Sequence, residues 1–202
     1  MCFKDTNKRI IGLDPGNEIT GMVVLDGGII IGAWNLPNTD LFNKIGSYSL
    51  HKNLTIVIED IKPYSLKLTP QVIDTCKVIG EAVFRLRINA GLHVEMVSRY
   101  EVKKWVFDTY PQICLPLISD KIDKKMYEAC SVETQEEIKV DRRGRSKRKS
   151  SFIYVDDRIV IEVMKAAYGL KMPPKGKGYE YGLKTHSFQA LGLATCFSMT
   201  RR

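Results

Sequence analysis

The chain has no run of about 18 consecutive apolar residues that could cross a bilayer, and nothing near Met1 forms the apolar core of a signal peptide. A soluble cytoplasmic protein with no membrane partner is therefore expected. Cysteine is scarce and unpaired in pattern: Cys2, Cys76, Cys114, Cys130 and Cys196 are odd in number and form no C-x-x-C spacing, which argues against a disulfide frame and against a zinc site. Acid is in deficit, with 23 Asp+Glu against 31 Lys+Arg and a net charge of +8. The imbalance is local. Lys139 to Lys149 holds seven basic residues and one acid, and the rest is nearly neutral. Such a concentration predicts a polyanion met by one segment, with a solvated loop as the plain alternative.

At 202 residues and 44% hydrophobic, the chain can bury one sizeable core, as a single domain over 1–202 with a basic insertion at about 108–151. Its organising stretch is Arg9 to Asp26, RIIGLDPGNEITGMVVLD. Ile10, Ile11 and Leu13 make a short apolar run of the buried-strand type, and Gly12 admits a close backbone approach. Asp14 falls where that strand meets the Pro15-Gly16 turn. A carboxylate there is costly unless paired or ligated, so it is a candidate site residue; an ordinary turn aspartate is the alternative. Gly27-Gly28 between two apolar runs predicts a hairpin, so that three antiparallel strands open the fold. A short helix over Asn38 to Leu50 precedes Leu54 to Glu59, a second buried strand that also ends on an acid. Two such strands can deliver both carboxylates to one crevice of an open sheet. Because Asp60 adjoins Glu59, one of the two must face the other way.

The spacing of Val72, Ile73, Cys76, Ile79, Val83, Leu86 and Ile88 predicts one helix over Pro70 to Asn89, in which Gly80 implies close packing. A fifth strand, Leu92 to Val97, leads into the capping-box pattern Ser98-Arg-Tyr-Glu101 and a helix through Phe107. Asp120 to Cys130 can form a further helix. Helices from about Asp156 to Tyr168 and from Thr185 to Met199 close the chain.

The pieces IIGLDPGNEITG, VIED, KVIGEAV, VSRYEVKKWV and THSFQALGLA, in this order, resemble the RuvC-like Holliday-junction resolvases of the RNase H-like superfamily. The resemblance implies an α/β fold with a mixed five-stranded sheet, three antiparallel strands and then parallel ones, flanked by helices. It also implies a homodimer in a bacterial cell or phage-infected host, and two divalent ions, Mg2+ or Mn2+, held by acidic side chains. Asp14 and Glu59 match the family pattern. In the last helix, where the family has two acids three residues apart, this chain has His186 and Gln189. The implied metal set is thus Asp14, Glu59, His186 and Gln189. Gln189 carries no charge and magnesium ordinarily leans on carboxylates, so three readings stay open. Asp156 or Asp157 supplies the missing acid, with helix N-capping as their alternative role; His186 shifts preference toward manganese; or the protein binds DNA and cuts poorly.

The implied activity is a crossover-junction endonuclease. An in-line displacement assisted by two ions would leave a 5′ phosphate, with Asp157 and Lys104 as further catalytic candidates. Lys103, Lys104 and Lys184 are candidates for phosphate contact on motif position, against plain surface charge. The basic run contributes Arg142, Arg143, Arg145, Lys147, Arg148 and Lys149 as nucleic-acid contacts. Tyr64, just past the second acid, is placed to stack on a junction base or to pack beneath its own loop. Alternatives are a less selective nuclease for flaps and forks, and a junction binder without cleavage. An actin-like ATPase would need a second phosphate loop of the D-x-G type, and none follows.

Overall fold

The computed structural model describes residues 8–49, 53–61, 69–119, 139–140, 146–147, 155–171 and 179–201. Five strands form one sheet: β1 (Arg9–Pro15), β2 (Ile19–Asp26), β3 (Ile29–Pro37), β4 (Leu54–Asp60) and β5 (His93–Ser98). Their spatial order is β3-β2-β1-β4-β5, with β1, β2 and β3 antiparallel and β4 and β5 parallel to β1. The opening meander follows from the Gly27-Gly28 turn, where both residues have positive φ as a type I′ hairpin requires. The mixed sheet expected from the sequence is the one observed.

Helices cover both faces. On one lie α1 (Asn38–Gly46) and α2 (Pro70–Val83), the latter continuing as a π-helical turn over Phe84–Asn89. They pack on Ile11, Leu13, Met22, Val24, Ile56 and Ile58. On the other lie α3 (Arg99–Thr109), α4 (Pro111–Ser119), α5 (Asp157–Tyr168) and α6 (Thr185–Thr200). Their core includes Ile10, Val23, Leu25, Val57 and Val97. Strand alternation then decides the site: Ile10, Gly12 and Asp14 share a face, as do Val57 and Glu59, so both acids point toward α6. Asp60 is on the opposite parity.

α6 is buried from Ser187 to Phe197 because it lies directly on the sheet. Gly12 and Gly21 make that approach possible. A Cβ on Gly12 would stand 2.2 Å from the Ala190 carbonyl oxygen, and one on Gly21 would stand 2.3 Å from the His186 carbonyl carbon. Both contacts are to backbone, which cannot swing aside as a side chain can. Gly12→Ala is therefore expected to lower stability by at least about 1–3 kcal/mol, the usual cost of overpacking. Urea unfolding checks this, and an unshifted midpoint would show that α6 does not press on β1.

Two expectations about α2 need correcting. A Cβ on Gly80 would meet no atom of the described residues within 4 Å, so among them this glycine supports no close packing. The buried stripe is Thr75, Ile79, Ala82 and Leu86, whereas Ile73, Cys76 and Ile88 face outward. The apolar residues of this helix are divided between two faces, which a search for one periodic stripe cannot separate. The helix also does not run uniformly to Asn89, since its last turn widens to π geometry. α4 has no counterpart among the elements expected from the sequence; Pro111 opens it, and Cys114 and Ile118 bury beside α3 and α5. Of the basic run, Lys139–Val140 and Ser146–Lys147 form a two-stranded antiparallel ribbon, β6 and β7. Arg142, Arg143, Arg145, Arg148 and Lys149 lie outside the described residues, as do Tyr64 and the helix expected from Asp120 to Cys130.

Candidate active site

The site forms where β1 and β4 end side by side. Their parallel register pairs Leu13 with Ile58, so Asp14 and Glu59 are the next residues along each strand. Both are buried, at 2% and 5% exposure. The turn after Asp14 is held by Asn38, whose Nδ2 donates to the Gly16 carbonyl at 3.1 Å and whose Oδ1 accepts from Thr20 at 2.7 Å. Across the crevice stands the start of α6. Asn35 Oδ1 accepts from the Ser187 backbone N–H at 3.0 Å, and the Ser187 hydroxyl accepts from the Lys184 N–H at 2.7 Å. These bonds satisfy first-turn amides and fix where His186 projects.

His186 Nδ1 lies 2.8 Å from Asp14 Oδ2, with its ring half exposed at the crevice rim. Donation from Nδ1 to the carboxylate leaves Nε2 as the lone-pair nitrogen of a neutral ring. The bond to Asp14 raises the His186 pKa against the opposing effect of partial burial. Burial pushes the Asp14 pKa up, but hydrogen bonding with His186 and Glu59 and the Arg99 charge bring it below the ordinary carboxylate value. Glu59 goes the other way. Burial and its hydrogen bond with Asp14 lift it to about 8, against the pull of Arg99. The two shifts run in opposite directions because the acids share one buried, low-dielectric corner and interact directly.

A third carboxylate comes from α5. Asp156 is that helix's N-cap, accepting from the Ile159 N–H at 3.0 Å, while Asp157 at the first helical position turns toward the crevice. Asp157 Oδ2 is 3.2 Å from Arg99 Nη1 and Oδ1 is 3.3 Å from Lys103 Nζ. Gln189 does not point its amide nitrogen at the acids. Its Nε2 donates to the Asp157 backbone carbonyl at 3.2 Å.

At the centre of these groups is a residue that the sequence does not single out. Arg99, the second residue of the capping box, places its Nε 2.6 Å from Glu59 Oε1 and its Nη2 3.0 Å from Glu59 Oε2 and 3.3 Å from Asp14 Oδ1. The signal for it lies in the register: β5 pairs with β4 so that Val97 faces Glu59 and Ser98 faces Asp60, which sets residue 99 beside both strand ends. The capping box itself is present, with Ser98 accepting from the Glu101 N–H at 3.2 Å and Glu101 accepting from the Ser98 N–H at 2.8 Å.

The structure therefore brings together Asp14, Glu59, Asp157, His186 and Lys103, with Gln189 behind Asp157. It does not bring Lys104 to them, because Lys104 pairs with Asp108 one turn along α3. Lys184 is exposed at the start of α6, and the Lys147 backbone lies in β7. Asp14, Glu59, Asp157 and the His186 imidazole suit a divalent ion in kind, and among the described residues the buried Asp157 Oδ1 makes no hydrogen bond and has only the ion pair with Lys103. As the side chains stand, no three His, Cys, Asp or Glu among the described residues are grouped tightly enough to share one ion. Arg99 holds the carboxylates instead.

No protein-family model matches this sequence, and no curated protein sequence matches it. Among solved structures, the fold is similar to T. thermophilus RuvC in complex with a Holliday junction substrate, at 12% identity and a TM-score of 0.52, over 94% of this chain and 92% of that one. A structure of Thermus thermophilus RuvC aligns over 94% of this chain and 93% of that one at 16% identity, with a TM-score of 0.43. The likeness is one of fold.

Proposed function

We propose that this protein is a divalent-ion-dependent endonuclease for branched DNA, four-way junctions above all, which nicks to leave 5′ phosphates. The observation that carries the reading is the convergence of Asp14 and Glu59 from adjacent parallel strand ends with Asp157 and His186 at one crevice. A protein of the same fold is described bound to a Holliday junction, which favours DNA over other phosphodiesters. Asp14, Glu59, Asp157 and His186 would hold Mg2+ or Mn2+, and such ions supply an activated water and stabilise the leaving oxygen. Lys103 stands beside Asp157 and is the lysine positioned to face a scissile phosphate. Gln189 fixes the backbone of Asp157 and so the direction of its carboxylate.

Pairing of two copies is part of the reading, because opposed nicks need two sites. α2 and its π-helical turn offer a face for it: Ile73, Phe84 and Ile88 are 44%, 55% and 64% exposed, and no atom of the described residues stands over Gly80. A second reading, junction binding with little cleavage, draws on Arg99, which already neutralises the acids that ions would need.

The test is incubation of the full chain with a labelled four-way junction and with linear duplex of the same sequence, in magnesium and in manganese. Paired nicks in the junction alone are expected. Binding without cutting in either ion would select the second reading, and equal cutting of duplex would point to an unselective nuclease.

A further inference from the structure

Arg99 enters the acid cluster from the solvent side. Its side chain is 41% exposed, whereas those of Asp14 and Glu59 are 3% and 6% exposed. Through three nitrogens it meets three carboxylates, two of which would otherwise be buried anions facing each other. A guanidinium keeps its charge at any pH the fold survives, so it is a permanent counter-ion. The oxygens it occupies, Glu59 Oε1 and Oε2, Asp14 Oδ1 and Asp157 Oδ2, are also the hard donors a divalent ion would take. One set of lone pairs cannot serve both cations.

From this geometry we infer that Arg99 is a resident cation that competes with divalent ions for the acid cluster, so that loading the site requires its guanidinium to swing out. The inference rests on the proposed role of these acids as ion ligands. Two features favour displacement over a fixed structural bridge. Arg99 is the first residue of α3, so its departure leaves the helix interior untouched, and the capping box that anchors this end uses Ser98 and Glu101. Its partial exposure also gives the long side chain solvent to move into, where its charge costs little. In the absence of ions the arginine supplies the compensation that buried carboxylates need. In their presence it sets how much ion is required.

The experiment is calorimetric titration of MnCl2 into the full-length protein without DNA, comparing wild type with Arg99→Gln and Arg99→Lys, with circular dichroism to establish that each variant is folded. Competition predicts that Arg99→Gln binds manganese about tenfold or more tightly than wild type, since hydrogen bonds to charged groups no longer have to be broken. It also predicts that the variant melts lower than wild type without the ion and gains more in melting temperature when the ion is added. Arg99→Lys, which keeps one charge but loses the fork, should fall between. A folded Arg99→Gln or Arg99→Lys that binds manganese no more tightly than wild type overturns the competition while leaving the ion site standing. If wild type and both folded variants all fail to bind manganese, the competition and the ion-dependent reading fall together.

Discussion

Asp14→Asn is expected to abolish cleavage of a four-way junction while leaving junction binding intact or tighter. The removed charge is the hub of the crevice, meeting His186 at 2.8 Å and Arg99 at 3.3 Å. Loss of even an outer partner of a metal site costs about 10–100-fold, so if Asp14 ligates an ion, as proposed, its loss should exceed the upper end of that range. If the substrate is DNA, as proposed, binding is spared because removing this negative charge relieves repulsion of phosphate. The same variant has a readout that does not depend on cutting. His186 owes its raised pKa first to the Asp14 bond, so in Asp14→Asn the ring should titrate nearer its ordinary value, as proton NMR can follow. The sign for stability follows. A histidine whose folded pKa is raised stabilises the fold fully below its unfolded value, about 6.5, and that contribution is lost as pH rises through the folded value. Asp14→Asn should erase this acid-side contribution. Undiminished cutting by the variant would remove Asp14 from the site.

What could be read in the sequence was whatever local chemistry decides. The Gly27-Gly28 turn fixes the opening hairpin, the Ser98 and Glu101 side chains fix the start of α3, and Leu13 with Ile58 fixes which way the two acids face. Gly12 in the middle of an apolar strand signals a close neighbour, and that neighbour is α6. What could not be read depends on which elements meet. α2 carries two apolar stripes, and only the sheet decides that Ile79 and Leu86 go in while Ile73 and Ile88 stay out. Arg99 looks like filler inside a capping motif until β4 and β5 are seen to be parallel neighbours. For the Asp156-Asp157 pair the sequence offers both as candidates, and the choice between them depends on how the helix start meets the crevice. One of the pair satisfies the helix end, which frees the other for the crevice.

That division of labour leads to the second large effect, expected at Asp157 and not at Gln189. The family pattern implied by the sequence has an acid at residue 189, and the simplest expectation is that restoring it raises activity. The geometry argues otherwise. Gln189 is 7% exposed and its amide donates to the Asp157 carbonyl, a contact that holds the first turn of α5 against α6. In Gln189→Asp that donor is lost, and a shorter carboxylate is set facing a carbonyl oxygen that it cannot bond. Cleavage by Gln189→Asp should therefore fall or stay level. Asp157→Asn should reduce cleavage by more than about 100-fold, on the same reasoning from metal-site partners as for Asp14. Asp157 is half exposed and Asp156 keeps the N-cap, so the variant should melt close to wild type. Rates measured on one junction substrate for Asp157→Asn, Gln189→Asp and the double variant separate the two positions. If Gln189→Asp restores cutting to Asp157→Asn, the third acid belongs on α6 after all; if Asp157→Asn alone cuts at the wild-type rate, α5 contributes no ligand.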